Sequence, residues 1–370
     1  MWFTFRPDAL TVWQHSIVKK LLRRYYGILK GERIAKYLIA KKVPINLQEG
    51  LAKYNLDQLW IIHEKASLKH KEYILKIDNN EIEYVDLDDP LVSYLDVKIE
   101  IVKRILRSCR FCEWQCKVDR TKGEKGVCRV GAYARVSSAF LHMGEEAPLV
   151  PSGTIFFSGC PFKCVFCQNY DISQYPETGV AVGPKELAKI AHGLARDGAK
   201  NINYVGGDPI PNTHIIIESL KYQTDNITQL WNTDLYATMN TMKLMVDIMD
   251  FFLPDFKYGN DKCALRLSKV KNYFAVVSRN HKFIYDNGGE IIIRHLVLPN
   301  HIDCCSKPIL TWIAENMPNV LVNIMGQYRP EYKVYSSDKY KDIQRRPTRS
   351  EMEEVFDFAD RLGIHWKPVS

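Results

Sequence analysis

The stretch GTIFFSGCPFKCVFCQNYD (153–171) sets a short apolar run directly against three cysteines, Cys160, Cys164 and Cys167. The run TIFFSG (154–159) reads as a strand, because aromatic and β-branched side chains fit a pleated, buried surface. The cysteines then fall on the loop at its C-terminal end. Three thiolates at this spacing can wrap one cubane iron–sulfur cluster and leave one iron without a protein ligand. A zinc ion on the same thiols would need a fourth ligand, for which Gln168, Asn169 and Asp171 are poor substitutes for Cys or His.

Downstream of this loop, short apolar runs alternate with helix-length amphipathic stretches. Strands are expected at 202–207, 227–232, 251–257, 273–278, 291–298 and 320–325. Between the first pair of strands, 184–198 reads as a helix, with Pro184 in its first turn and Gly198 at its C-terminal end. Alternation of this kind predicts an α/β fold, an incomplete parallel (β/α)6 barrel of TIM-like type spanning about 153–336. In such barrels ligands gather at the C-terminal ends of the strands.

Four further strings fall at those ends. YVGGDPIP (204–211) offers Gly206, Gly207 and Asp208: glycines let backbone approach a ligand closely, and a carboxylate accepts from an ammonium group. In isolation such a string reads as a turn. LPDFKYG (253–259) puts Asp255 and Lys257 on one strand face, since side chains alternate with period two; a surface ion pair is the plainer reading. LWNTDLY (230–236) carries Asn232, and IIIRHLVLPN (291–300) carries Arg294, which an ordinary ion pair would also explain.

Taken together, the cysteine loop and these strings resemble the signature of the radical S-adenosylmethionine (SAM) superfamily. The resemblance implies a [4Fe–4S] cluster on Cys160, Cys164 and Cys167, whose open iron binds SAM; the reduced cluster cleaves it to a 5′-deoxyadenosyl radical that abstracts hydrogen from a substrate. It implies that Phe166 lies beside the adenine, that Gly206, Gly207 and Asp208 meet the SAM amino group, and that Arg294 also contacts SAM. The Asp255-x-Lys257 pair narrows the resemblance to the activating enzymes of glycyl-radical proteins such as pyruvate formate-lyase. There the lysine meets the SAM carboxylate and the aspartate helps to hold a monovalent cation. Asn232, Thr233, Asp234 and Leu235 stand where those enzymes carry Asp-Thr-Asn-Gly, a departure that bears on the cation. Gln327 and Tyr328 stand where relatives contact the adenosine. A reductant such as flavodoxin or ferredoxin is implied, and the substrate would be a backbone glycine of a partner protein. Another peptide, a small molecule or RNA are the alternatives.

Upstream, CRFCEWQCKVDRTKGEKGVC (109–128) carries Cys109, Cys112, Cys116 and Cys128, the ligand count of a closed tetrahedral site. Gly123 and Gly126 would let the chain fold back to deliver Cys128. Zinc, a single iron or an auxiliary cluster are all compatible with four soft ligands, and a set of reduced structural thiols is the plain alternative. A similar segment precedes the barrel in a branch of radical SAM proteins related to the pyruvate formate-lyase activating enzyme, and the resemblance runs from about Cys109 to the C-terminus. Cys263, Cys304 and Cys305 have no paired ligands nearby in sequence and receive no function. His192, His214, His295 and His301 are likewise isolated and read as packing or surface residues.

The first hundred residues show apolar positions at helical spacing over 11–69, two short strands over 73–88 joined at Asn79 and Asn80, and a helix over 91–106. Three regions follow: a mainly helical extension (1–108), a cysteine-rich connector (109–152), and the barrel with a C-terminal helix (153–370). The 370 residues, 46% hydrophobic and 25% charged, suit an ordinary globular enzyme rather than a disordered or fibrous chain. The net charge of +8 is thinly spread over 51 basic and 43 acidic residues, so a solvated surface is favoured over a nucleic-acid site. The KKLLRR run (19–24) is the densest basic stretch. A metal-binding module, with zinc in both cysteine clusters and basic helices on nucleic acid, is the competing class of function. The first fifteen residues lack the pattern of a secretory leader and no apolar run is long enough to span a membrane; a cytoplasmic protein with reduced cysteines is expected.

Overall fold

The computed structural model describes residues 4–370; the first three residues of the amino-terminal stretch read above for a leader lie outside them. Eight strands form one sheet: β1 (Ala134–His142), β2 (Ser152–Phe157), β3 (Val180–Val182), β4 (Asn201–Gly206), β5 (Thr228–Thr233), β6 (Phe251–Pro254), β7 (Glu290–Leu296) and β8 (Leu321–Met325). Their order is β3-β1-β2-β4-β5-β6-β7-β8. From β2 onward in that order every pairing is parallel, which gives six of the seven expected strands and the six units of the expected barrel, while β1 runs antiparallel to both β2 and β3. The helices Pro184–Arg196, Thr213–Ser219, Met239–Val246, Tyr273–Asp286 and Lys307–Asn316 lie between the parallel strands. Among the described residues no helix is long and apolar enough to cross a membrane.

Strand alternation divides the barrel into two rows. Trp231, Phe252, Ile293 and Val322 belong to the main core that the surrounding helices cover. Leu230, Phe251, Leu253, Ile292 and Leu321, which alternate with them, form a second cluster with Val18, Leu22 and Tyr25. The amino-terminal helices therefore plug the bottom of the barrel. Glu290, at the start of β7, accepts the backbone N–H groups of Arg24 and Tyr25 in the first turn of the helix Arg23–Leu29, the place where a helix dipole favours a carboxylate. Asp250 accepts from Lys36 N at 2.9 Å and Gln229 N at 3.0 Å. The KKLLRR run is thus partly internal: Leu22 and Arg24 are buried, and Arg24 pairs with Asp78 at 2.7 Å.

Three local expectations are corrected. The segment 73–88 is not a hairpin: Leu56–Asp78 is one helix, opened by an Asn55/Gln58 capping box and burying Leu59, His63, Ala66, His70 and Ile77 along one stripe. Asn79 and Asn80, the latter left-handed at φ 58, end that helix rather than turn a hairpin. Residues 273–278 are the start of the helix Tyr273–Asp286, in which Tyr273, Val276, Val277, Asn280, His281 and Ile284 are buried at helical spacing. Strand β1 was not expected; its middle is exposed, so its sequence carries no apolar run.

Candidate active site at the barrel mouth

The three-cysteine loop follows β2 and is tied down from several sides. Gly159 N–H donates to Ile172 O, Lys163 N–H to Ser268 O and Val165 N–H to Leu267 O, each at 2.9 Å, and Lys333 N–H donates to Val165 O at 2.9 Å. Trp114 Nε1 donates to Pro161 O at 2.9 Å and Gln174 Nε2 to Phe162 O at 3.1 Å. The sulfurs of Cys160 and Cys164 are buried; Cys164 Sγ lies 2.9 Å from Ser268 Oγ and Cys167 Sγ 3.2 Å from Ser173 Oγ. Gly206 and Gly207 prove to serve this anchorage. Gly206 has φ +116, and a Cβ on either residue would run into the backbone of Phe157 or Gly159. Gly207 N–H donates to Phe157 O at 2.7 Å and Asp208 N–H to Gly159 O at 3.0 Å, so the glycine pair locks the end of β4 to the root of the loop.

Facing the loop across a cavity of about 210 Å³ are side chains from the ends of β5, β6 and β7. Lys257 forms ion pairs with both Asp234 and Asp255. Those two carboxylates hold its ammonium group well above the usual lysine range against the opposing effect of burial. Burial would raise the Asp255 carboxyl, but Lys257 and Arg294 outweigh it and keep it below the ordinary range. Cys160 Sγ lies 3.6 Å from Asp234 Oδ2, so the aspartate that holds the lysine also meets the loop. Asp208 accepts from Ile210 N and Asp234 N at 2.8 Å each and from Thr233 Oγ1 at 3.0 Å; burial, followed by the charge of Asp234, pushes it up to about 8.

Arg294 lies 3.5 Å from Glu145 and from Asp255 and 3.7 Å from Glu146. Glu145 also accepts from Asn203 Nδ2 at 3.0 Å, and burial pushes its carboxyl up to about 7 against the pull of Arg294. Asp255 Oδ1 and Arg294 Nε make no hydrogen bond but face each other as an ion pair at 3.5 Å, whereas Asn232 Nδ2 is buried without a partner. An unpaired buried amide marks where a polar ligand would make up the count.

The structure brings Cys160, Cys164, Cys167, Phe166, Gly206, Gly207, Asp208, Asn232, Asp255, Lys257, Arg294 and Gln327 to this one cavity. Tyr328 stands behind it instead: its ring meets Phe166 edge-on at 5.7 Å and its hydroxyl donates to Ile343 O at 2.7 Å. Glu145 and Glu146 were missed. They follow β1, and without that strand nothing in the sequence places them beside Arg294. Asp234 had been noted only as a departure from a pattern, yet it links Lys257 to the cysteine loop.

The connector packs against the same mouth. Cys112 bridges Ala237, and Thr238 N–H donates to Phe111 O at 3.1 Å. Gly123 is left-handed at φ +86, and a Cβ on Gly126 would stand 2.7 Å from Cys116 Sγ, so both glycines let the chain turn back tightly. Burial pushes the Cys112 thiol well up, and the neighbouring Cys128, Cys109 and Cys116 add to it.

A second correction concerns the remaining thiols. Cys263, Cys304 and Cys305 do have a partner: they converge with His301, the four ligand atoms lying within 4.8 Å of one another. His214, by contrast, hydrogen-bonds Ala132 O at 2.8 Å and stacks on Phe111, His295 lies between Phe256 O and Ser306 Oγ, and His192 pairs with Asp225 at 2.9 Å.

Comparison with known proteins adds the following. Residues 154–313 match the Radical SAM superfamily. The chain is 44% identical to Uncharacterized protein MJ0674 of Methanocaldococcus jannaschii over 93% of its own length and 98% of that protein. It is 23% identical to Uncharacterized protein MJ0808 of the same organism, over 61% of this chain and 72% of that one. Among solved structures, Streptococcus suis SuiB bound to S-adenosylmethionine is 16% identical with a TM-score of 0.42 over 56% of this chain and 47% of SuiB, so the chain spans about half of SuiB's length. A radical SAM methyltransferase from Sphaerobacter thermophilus is 12% identical with a TM-score of 0.45, covering 58% of this chain and 65% of that one.

Proposed function

Because the chain belongs to the radical SAM superfamily, an enzyme class with a [4Fe–4S] cluster and SAM as cofactors, we propose that Cys160, Cys164 and Cys167 hold the cluster and that SAM lies between them and Lys257. When bound, the pair supplies reductive cleavage of SAM to methionine and a 5′-deoxyadenosyl radical, which abstracts hydrogen from the substrate. The residues of the mouth fit such a group. Three carboxylates of the cavity, Asp208, Asp234 and Asp255, stand with two cations, Lys257 and Arg294, and Arg294 is also held by Glu145 and Glu146. Side chains of both signs suit a ligand that carries a carboxylate as well as sulfonium and ammonium charges, with a monovalent cation beside Asp255.

In this reading Lys257 and Arg294 take the SAM carboxylate, Gly206, Gly207 and Asp208 face its ammonium group, and Asn232 offers its unpartnered Nδ2. Phe166, backed by Tyr328, lies along the adenine, with Gln327 nearby. Phe162, Val205, Leu296 and Met325 line the rest and keep water away. The observation that carries the proposal is that one aspartate, Asp234, meets both the Cys160 thiol and the Lys257 ammonium group. Anaerobic reconstitution with iron and sulfide, followed by reduction in the presence of SAM, should release 5′-deoxyadenosine. A reconstituted, reduced chain that releases none would overturn the proposal.

The substrate we propose is a backbone glycine of a partner protein, on the likeness of Asp255 and Lys257 to the pair in glycyl-radical activating enzymes, with electrons from a flavodoxin or ferredoxin. Incubation with candidate partners should give a glycyl-radical EPR doublet. Its absence with every glycyl-radical protein of the source organism would move the substrate to another peptide, a small molecule or RNA. We further propose that Cys109, Cys112, Cys116 and Cys128 hold a second metal within the connector 109–152. Metal bound to a Cys160→Ala, Cys164→Ala, Cys167→Ala variant should then fall when Cys116→Ala is added, and an unchanged content would return the four to structural thiols.

A further inference from the structure

The group formed by Cys263, His301, Cys304 and Cys305 lies apart from the seven cysteines of the mouth and connector. Cys263 is on the helix Asp261–Ser268, and the other three lie on or beside the single π turn Ile302–Ser306 after β7. His301 Nδ1 stands 3.5 Å from Cys263 Sγ, 3.3 Å from Cys304 Sγ and 3.6 Å from Cys305 Sγ. Cys304 Sγ is 3.9 Å from both Cys263 Sγ and Cys305 Sγ.

Hydrogen bonding does not explain this arrangement. An imidazole nitrogen has one lone pair, so at most one thiol can donate to it, yet three sulfurs surround it at nearly equal distance. Nor are these disulfides, whose sulfurs would be about 2.05 Å apart. A zinc ion bound at about 2.3 Å from sulfur and about 2.05 Å from nitrogen in a tetrahedron requires edges of about 3.8 Å between sulfurs and about 3.6 Å between sulfur and nitrogen. Five of the six separations lie within about 0.3 Å of those edges, and the sixth, Cys263 to Cys305, is within 4.8 Å.

The surroundings match as well. His301 Nε2 lies 3.0 Å from both Asp342 Oδ2 and Arg266 Nη2; in the tautomer that donates Nε2–H to the carboxylate, Nδ1 is the ligand atom. Arg266 binds the same carboxylate, with Nη1 2.9 Å from Oδ1, and brings a positive charge that offsets three thiolates around a dication. The two segments are pressed together: Asn260 caps the helix through Cys263 N at 2.8 Å and donates to Cys304 O at 2.7 Å. A Cβ on Gly259 would stand 2.8 Å from Cys304 O and from the Cys305 backbone.

We propose that Cys263, His301, Cys304 and Cys305 form a closed structural zinc site that fastens the helix Asp261–Ser268 to the turn after β7. The other end of this helix receives the N–H groups of Lys163 and Val165, and Ser268 Oγ meets Cys164 Sγ. The zinc site braces the three-cysteine loop from behind.

The test follows alkylation of individual cysteines, resolved by peptide mass spectrometry, in the full chain supplied with zinc. Cys304 is exposed, so bare it should react at once. With zinc it should stay unlabelled, together with Cys263 and Cys305, until a chelator is added. A Cys263→Ser, Cys304→Ser variant should hold one zinc equivalent fewer per chain. Asp342→Asn, which keeps all four ligands, should release the three cysteines at a 10- to 100-fold lower chelator concentration. Immediate labelling of Cys304 in the zinc-supplied folded chain would overturn the proposal. So would an unchanged chelator dependence in Asp342→Asn, or iron in place of the zinc equivalent.

Discussion

At the barrel mouth three thiols share one loop, and the wall opposite them is crowded with carboxylates, a lysine and an arginine held in one ion-pair network. Behind that loop, the group around His301 draws its ligands from two segments 38 residues apart in the case of Cys263 and His301, and it closes on itself. On the proposed reading, the first arrangement leaves a coordination position and the unpaired Asn232 amide for a ligand to use. The second leaves none. The two are joined by the helix Asp261–Ser268, which carries Cys263 near its start and Ser268 at its end. An enzyme that must hold an open iron in a fixed place gains from a closed, rigid site behind it, since reactive groups have to be held by supports that do not move.

The sharpest way to break this contrast is Cys164→Ala. It should abolish 5′-deoxyadenosine release and the iron bound by the loop, while alkylation of Cys304 stays blocked in zinc. Loss of both metals together would show one coupled site instead of two. Next in size is Lys257→Met, which removes the cation that Asp234 and Asp255 enclose. Charge-assisted hydrogen bonds contribute about 1.5–3 kcal/mol, so SAM binding to the reconstituted chain, measured by calorimetry, should weaken roughly 10- to 100-fold.

The scaffold that carries both sites has its own pH limit. His70, His281 and His295 are held near 4 by burial, below the ordinary value of 6.5. At each of these histidines the folded state binds fewer protons than the unfolded one, so its contribution is full above pH 6.5 and is lost as the pH falls toward about 4, roughly 1.4 kcal/mol of it by pH 5.5. Carboxyls raised by burial, Asp208 to about 8 and Glu145 and Glu290 to about 7, act in the opposite sense over the same range. The histidine part is therefore read as the difference in pH dependence, by denaturant unfolding at pH 7.5 and 5.5, between the chain and a His281→Phe variant, and an identical dependence in the two would contradict the assignment. The smallest effect is expected from Ser268→Ala, which removes the hydroxyl beside Cys164. It should lower stability by about 1 kcal/mol in thermal unfolding and leave zinc retention intact.

The same contrast accounts for what could be read from the sequence. The parallel strands and the mouth residues were legible because each motif is local: an apolar run buried on both faces, then a functional residue at its end. Where a local pattern was ambiguous, tertiary burial decided. The β-branched and aromatic residues of 273–278 became a helix because its buried stripe runs on to Ile284, and Asn79 and Asn80 ended a helix with no second strand to pair. Glu145 and Glu146 were hidden because they hang from a one-sided antiparallel strand. The zinc ligands were hidden because no spacing rule joins Cys263 to a turn that only the packing of β6 and β7 brings alongside it. The amino-terminal helices offered no motif, yet Leu22 and Tyr25 fill the barrel floor.

The central claim, that the three-cysteine loop presents an open iron to SAM held by Lys257 and its neighbours, is tested most directly by EPR of the reconstituted, reduced chain with and without SAM. Ligation of the open iron should change the signal of the reduced cluster, and the change should weaken in Lys257→Met. A reduced-cluster signal that SAM leaves unaltered would contradict it.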